Sequence, residues 1–181
     1  QEAICEKLKR ENGLEYSPPQ IVVSNGAKHS LFNIFQVILN PGDEVIIPSP
    51  YWVSYPELVK MAGGIPVYVE TKQEDSFRII MRDVEEKITS KTRAFILNSP
   101  RNPTGSICSE EELRALAELA IRHDFFVISD EIYEQLVYDG KKHISIASFN
   151  EDIKKRTILV NGLSKAFAMT GWRIGYTASE E

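Results

Sequence analysis

Two kinds of apolar spacing alternate along this chain. Short, mostly apolar runs lie at Ile21-Val22-Val23-Ser24, Glu44-Val45-Ile46-Ile47-Pro48, Ile65–Glu70, Ala94-Phe95-Ile96-Leu97-Asn98, Phe125-Phe126-Val127-Ile128-Ser129, Thr157-Ile158-Leu159-Val160-Asn161 and Ile174-Gly175-Tyr176-Thr177-Ala178. Runs of this length, bounded by turn-forming residues, read as strands. Where no polar alternation breaks the run, as at 94–97, the strand is expected to be covered on both faces, and 21–24 is read as buried too. Between the runs the spacing changes to three and four. Leu31, Ile34, Phe35, Ile38 and Leu39 form one helical stripe, ended by Pro41-Gly42-Asp43, and Leu113, Leu116, Ala117 and Ala120 form another. Ser109, followed three residues later by Glu112, predicts the N-cap of that second helix. Shorter helical patterns lie around Ile4 and Leu8 with Gly13 as a stop, over 56–62, and around Val84 and Ile88; 144–151 has no regular pattern. Seven candidate strands mostly separated by helices predict an α/β fold, a three-layer α/β/α domain with a largely parallel sheet.

Parallel sheets collect ligands beyond the C-terminal ends of their strands, so the residues just after each run are the candidates for chemistry. Asn25-Gly26 is a common turn, but it opens a helix near Ala27, where backbone N–H groups at the positive end favour a phosphate. Tyr51 and Trp52 follow the second run, either capping the core beneath a helix or offering a flat surface to a ligand. Two prolines and a glycine in Ser99-Pro100-Arg101-Asn102-Pro103-Thr104-Gly105 make a stiff loop, which would hold the Asn102 side chain in one place. Asp130 closes a hydrophobic run; it reads as a helix cap or as a buried carboxylate whose pKa is raised unless a cation or donors compensate. Lys165 sits among small and apolar residues. It is either a solvated loop lysine or a partly desolvated amine, nucleophilic near neutral pH. Arg173, eight residues on, is a permanent planar cation suited to phosphate or carboxylate, or to a surface ion pair. Trp52, Asn102, Asp130 with Tyr133, and Lys165 all follow strand ends, so one shared pocket is expected.

Composition narrows the field. With 181 residues, 43% hydrophobic and 26% charged, the chain can bury one substantial core, and one domain is expected. A net charge of -5 with mixed signs argues against a nucleic-acid surface. Cys5 and Cys108 are far apart, and with three histidines they indicate neither a zinc site nor a disulfide framework. A reducing compartment is expected. There is no signal peptide and no apolar run long enough to span a bilayer. Fingerprints of nucleotide-binding modules are missing: no Gly-x-Gly-x-x-Gly follows a strand, and there is no Gly-Lys-Ser/Thr phosphate loop.

The segment Asn161-Gly162-Leu163-Ser164-Lys165-Ala166-Phe167-Ala168-Met169-Thr170-Gly171-Trp172-Arg173-Ile174-Gly175 resembles the lysine-attachment motif of class-I aminotransferases, fold-type-I enzymes dependent on pyridoxal 5'-phosphate. Asn102-Pro103-Thr104-Gly105 and Asp130-Glu131-Ile132-Tyr133 match two further hallmarks. The motifs are most similar to the prokaryotic-type aspartate aminotransferase branch, which also includes prephenate aminotransferases. The resemblance covers nearly all of the chain. It implies that these residues form most of a large, cofactor-binding domain whose seven-stranded sheet has its last strand antiparallel. With Gln1 inside a helical pattern and no initiator Met, the chain reads as a fragment, lacking an N-terminal segment and a C-terminal smaller domain.

The resemblance implies roles. Lys165 forms the resting imine and moves a proton at the substrate Cα. Asp130 binds the pyridinium nitrogen; Asn102 and Tyr133 meet the ring oxygen; Trp52 stacks on the ring and, with Asn102, lines the substrate site. Gly26, Ala27 and Lys28 fall where backbone amides hold the phosphate, joined by Arg173 and Ser164. Arg101 is assigned no role. Gly162 departs from members with serine there, which removes one phosphate anchor. The carboxylate-binding arginine of the family belongs to the missing C-terminal part, and a phosphate-binding tyrosine reaches in from a partner subunit. The implied activity is transamination between an L-amino acid, aspartate or a relative, and a 2-oxo acid in a cytoplasmic homodimer. A lyase on the same scaffold, or a non-catalytic cofactor-binding fragment, are the alternatives.

Overall fold

The computed structural model of the protein describes residues 1–180. Helices α1 (Glu2–Lys7), α2 (Ala27–Ile38), α3 (Ser54–Met61), α4 (Met81–Glu85), α5 (Glu110–His123) and α6 (Glu151–Lys154) surround one sheet. Its strands are β1 (Ile21–Asn25), β2 (Glu44–Ser49), β3 (Ile65–Glu70), β4 (Thr92–Asn98), β5 (Phe126–Asp130), β6 (Thr157–Gly162) and β7 (Ile174–Ala178), in the order β1-β7-β6-β5-β4-β2-β3. All seven expected strands are present. The pairs β2/β3, β2/β4, β4/β5 and β5/β6 are parallel, and β7 runs antiparallel to both β6 and β1. The sheet is therefore mostly parallel with its last strand reversed, as expected.

Alternation along the strands builds the three layers. In β4, Phe95 and Leu97 pack with Val84, Leu113, Leu116 and Phe125 beneath α4 and α5, whereas Ala94 and Ile96 pack with Leu31, Phe35, Tyr55 and Val59 beneath α2 and α3. A central strand with helices on both faces must be apolar at every position, which is why its sequence shows no alternation. A third cluster, with Leu8, Leu14, Tyr16, Ile21, Leu159 and Tyr176, fixes the N-terminal segment against β6 and β7.

Some local expectations change. β1 is not a buried strand: Val22 and Val23 are 55% and 51% exposed, because β1 lies at a sheet edge and pairs only with β7. Ile88 lies beyond the end of α4 and packs against the core from the following turn. The irregular 144–151 stretch holds a 3-10 turn, Ile146–Ser148, and Asn150, whose Oδ1 accepts from the Asp152 and Ile153 amides at 3.0 Å each to start α6. The cap of α5 is as read: Ser109 Oγ accepts from the Glu112 amide (3.2 Å), and Glu112 Oε2 accepts from the Ser109 amide (2.9 Å). Among the described residues no helix is long and apolar enough to cross a membrane.

Two glycines let β6, β7 and the start of α2 approach closely. A Cβ on Gly175 would lie 2.2 Å from the Ala27 nitrogen and 2.3 Å from the Gly26 carbonyl carbon, and one on Gly162 would lie 2.7 Å from the Ile174 carbonyl oxygen. Position 162 thus has no room for a side chain while β7 keeps this path. Gly175→Ala is expected to destabilise the fold by at least about 1–3 kcal/mol, since backbone has to move to admit the methyl; an unchanged thermal midpoint in a melt of the variant would contradict this close packing.

Candidate active site

β6, β5, β4 and β2 are consecutive neighbours in the sheet, so their C-terminal ends line one edge. The chain diverges there: β2 leads outward to β3, while β4 leads the other way to β5. Such a divergence opens a crevice above the strand ends. A cavity of about 260 Å³ occupies it. Ala27, Lys28, Trp52, Asn102, Asp130, Tyr133, Ser164, Lys165 and Arg173 all line it, and Gly26 lies at its rim beneath Arg173. These candidates are therefore brought to one place, whereas Tyr51, considered with Trp52, stacks on Tyr68 away from the cavity lining. Tyr55, Asn98, Ile132 and Thr170 also line the cavity and were not singled out. Tyr55 lies three residues after Trp52, in the first turn of α3, and Asn98 is the last residue of its strand, the signals by which both could have been found.

Asp130 is the electrostatic centre of the cavity. Its carboxylate is buried, with Oδ2 accepting from the Tyr55 hydroxyl (2.6 Å) and Oδ1 from the Ile132 amide (3.2 Å). Desolvation outweighs these two donors and raises its pKa to about 6. Two donors leave part of a carboxylate's acceptor capacity free, so a cationic N–H in the cavity would find a ready partner. Tyr55 is itself held well above its usual pKa, by burial first and by the Asp130 charge next, so its hydroxyl stays a donor.

At one wall Trp52 meets Tyr55 edge to face, with centroids 5.4 Å apart and an interplanar angle of 88°, and Lys28 Nζ lies 4.9 Å from the Trp52 ring centroid. These contacts fix the indole plane at the cavity wall. Opposite, Asn102 Nδ2 approaches Tyr133 Oη at 3.4 Å. The Tyr133 hydroxyl pKa is raised, chiefly by burial and then by Asp130, so this hydroxyl also remains a donor. Arg101, given no role from the sequence, is buried and ties the loop down, Nη1 donating to the Phe77 carbonyl (3.0 Å) and Thr71 Oγ1 (3.3 Å).

The anion corner is formed by α2 and the turn before β7. The His29 and Ser30 amides already donate to the Gly26 carbonyl, at 3.0 and 3.3 Å. The amides of Ala27 and Lys28 have no acceptor among the described residues, as the first turn of a helix requires. Gly26 adopts φ +82°, and a Cβ there would lie 2.2 Å from Arg173 Nη2. Only glycine lets the guanidinium fold over the helix start, so cation and free amides face the same space. Arg173 Nη1 donates to the Thr170 carbonyl (3.0 Å), which leaves further N–H groups for a ligand.

Of the two readings of Lys165, the solvated one is found. Its side chain is exposed, 5.7 Å from the Tyr133 ring centroid, rather than desolvated. After β6 the chain leaves the sheet on the open side of the cavity, where Phe167 is 64% exposed, so no apolar wall closes over the amine among the described residues.

Behind the strand ends lies a second polar layer. Glu131 accepts from Ser129 (2.9 Å), Ser145 (2.7 Å) and His143 (2.9 Å); Glu134 accepts from Lys7, Asn12 (2.8 Å) and Asn161 (2.7 Å). Burial pushes Glu131 up, but the His143 charge and these hydrogen bonds more than offset it, so its pKa is lowered. Although Glu131, Glu134 and His143 bring their ligand atoms together, the Lys7 ammonium, the His143 ring and four neutral donors already occupy the carboxylates, which argues against a cation there.

The family model for aminotransferases of class I and II matches residues 1–181. The chain belongs to the class I and II aminotransferases. Among curated relatives of this aminotransferase chain, the aspartate aminotransferase of Bacillus subtilis (strain 168) is 56% identical over 179 residues, which is 99% of this chain and 46% of the relative. The aspartate/prephenate aminotransferase of Thermus thermophilus is 54% identical over 175 residues, 97% of this chain and 44% of the relative. The solved structure of Thermus thermophilus aspartate aminotransferase with maleate superimposes with a TM-score of 0.94 at 53% identity, covering 98% of this chain and 46% of that one. The chain spans just under half the length of the relatives it matches.

The raised Asp130 pKa has a signed consequence for stability. A carboxyl with a folded pKa near 6 and an ordinary unfolded value binds more protons folded than unfolded between those values, so stability falls as pH rises from about 4 to 6 and is then flat. In the ligand-free aminotransferase chain, Asp130→Asn is expected to remove this fall, roughly 2–3 kcal/mol, because an amide can accept from Ile132 and donate to Tyr55. Tyr55→Phe should steepen it. Denaturation midpoints of the three proteins across pH 4–8 test this; parallel curves for parent and Asp130→Asn would rule out a buried, titrating Asp130.

Proposed function

We propose that this chain carries the cofactor-binding large domain of a pyridoxal 5'-phosphate-dependent aminotransferase, which transfers an amino group between an L-amino acid and a 2-oxo acid. The observation that carries this reading is the buried Asp130 carboxylate, short of a cationic partner, in one cavity with Lys165 and with an anion corner at Gly26 and Arg173. A flat cationic ring bearing a phosphate and a carbonyl group matches that set. The matched family and relatives named as aspartate aminotransferases support it. In this reading an N-terminal segment and a smaller C-terminal domain make up the rest of the relatives' length, and the complete protein works as a homodimer. We place it in the cytoplasm, where its two unpaired cysteines stay reduced.

When bound, the cofactor supplies an electrophilic carbon for an amine and a ring that accepts electrons from a bond broken at the substrate Cα. The chain's residues do the rest. Lys165 Nζ would be the covalent anchor and, as a free amine, the base for the substrate Cα proton. Asp130 holds the proton on the ring nitrogen, with Tyr55 keeping its carboxylate oriented. Asn102 and Tyr133 donate toward the ring oxygen, and Trp52 offers its free face for stacking, worth about 0.5–1.5 kcal/mol beyond burial. The Ala27 and Lys28 amides, Arg173 and Ser164 hold the phosphate. The Lys28 ammonium adds positive charge beside Trp52, which favours a dicarboxylic substrate such as aspartate; the relative from Thermus thermophilus that holds maleate, a dicarboxylate, is in keeping with this.

Absorbance titration of the full-length protein with pyridoxal 5'-phosphate, then borohydride reduction and peptide mapping, tests the assignment. A single reduced adduct on Lys165 is expected, and Lys165→Ala should lose it together with about 10²–10⁴-fold or more of the transamination rate. Failure to form the adduct, or indiscriminate labelling of lysines, would sink the reading. For substrate class, Lys28→Ala is expected to raise KM for aspartate about tenfold while leaving KM for alanine nearly unchanged, the scale of one charge-assisted hydrogen bond. Equal changes for both substrates would count against a dicarboxylate preference.

A further inference from the structure

Asn98 is the last residue of β4, 6% exposed, and stands opposite Asp130 in the β4/β5 register. Pro100, two residues on, has no N–H, so the backbone ladder cannot run on past this point. The Asn98 side chain continues it. Its Nδ2 donates to the Asp130 carbonyl (2.9 Å), and its Oδ1 accepts from the Asn102 amide (2.8 Å). The amide orientation is dictated by its partners: the Asn102 N–H can only donate and the Asp130 carbonyl can only accept, so a flipped side chain would break both bonds. One buried side chain thus joins the backbone of the residue beneath the cavity to the backbone of the loop beside it.

We infer that Asn98 is a positioning residue that sets the distance between Asp130 and Asn102, and through it the reach of the Asn102 side chain toward Tyr133 at the ring-oxygen side of the cavity. Other side chains serve poorly. Aspartate has the same shape and keeps the acceptor, but sets an oxygen against the Asp130 carbonyl and adds charge beside a carboxylate already costly to ionise. Glutamine is a methylene too long for a packed site, and alanine takes the partner from a part-buried N–H and a buried carbonyl. The contact of 3.4 Å between Asn102 Nδ2 and Tyr133 Oη is at the outer limit of a hydrogen bond, so a small displacement of the loop would separate the two groups.

This inference rests on the cofactor reading above. The test uses the full-length protein loaded with pyridoxal 5'-phosphate, with Asn98→Ala, Asn98→Asp, Asn102→Ala and the double variant Asn98→Ala/Asn102→Ala. The readout is the pH midpoint of the visible band of the Lys165-bound cofactor, alongside the thermal midpoint. Donors at the ring oxygen favour the deprotonated chromophore, so losing one moves the spectral midpoint to higher pH, by about tenfold in proton concentration. That rise is expected in both Asn98 variants, and the double variant is expected to match Asn102→Ala alone, because Asn98 acts through Asn102. A lowered thermal midpoint with an unchanged spectral midpoint would make Asn98 a purely structural residue and overturn the inference; so would full additivity in the double variant. If Asn98→Ala does not fold, Asn98→Asp decides alone by the same midpoint. A parent protein with no titrating band on Lys165 would instead remove the cofactor reading and this inference with it.

Discussion

Parallel pairing of β2, β4, β5 and β6 governs what this chain can do. Strands that run the same way finish at the same edge, and the backbone must leave the sheet there at each of them. Each exit exposes peptide groups and allows side chains to turn over the strand ends instead of into the layers. Trp52, Asn102, Asp130 and Lys165 are spread over more than a hundred positions in sequence, and no local interaction brings them together. The hydrogen-bond ladder does, and the two apolar layers on either side of it hold the ladder in place.

The same geometry makes the edge expensive. A carboxylate and several amides are withdrawn from water, and each needs a partner. Tyr55 and Ile132 serve the Asp130 side chain, Asn98 serves the Asp130 carbonyl and the Asn102 amide, and Arg101 serves the loop through the Phe77 carbonyl. Behind them Glu131 and Glu134 gather six donors from four separate segments. What the cavity presents is therefore a small unsatisfied remainder, concentrated at Asp130 and at the start of α2, in front of a polar layer whose carboxylates are already bonded.

The parts legible in the sequence were those with local signatures. Uninterrupted apolar runs such as 94–97 identified the central strands, and Ser109 with Glu112 identified the cap of α5, because each follows from a few neighbouring residues. The residues following the strands were legible as candidates because exit points are marked by proline, glycine and polar residues. Less could be read where the outcome depends on pairing across the fold. The exposure of Val22 and Val23 follows from β1 being at an edge, which its own composition does not reveal. The exposure of Lys165 follows from the path of 163–169, and small apolar neighbours alone do not bury an amine. Tyr55 and Asn98 passed unnoticed, and Arg101 was given no role, because their value lies in partners 75, 32 and 24 positions away.

Gly26 and Arg173 close the anion corner from opposite ends of the chain, 147 positions apart (173 − 26), and Gly175 seats the Ala27 amide on β7. The loop closed by this contact is nearly the whole length of the chain, so its entropy must be met before the contact gives anything back. Of the seven strands β7 comes last in this sequence, yet it lies between β1 and β6, against the direction of both. An anion gripping this corner would act as a clasp on the finished fold.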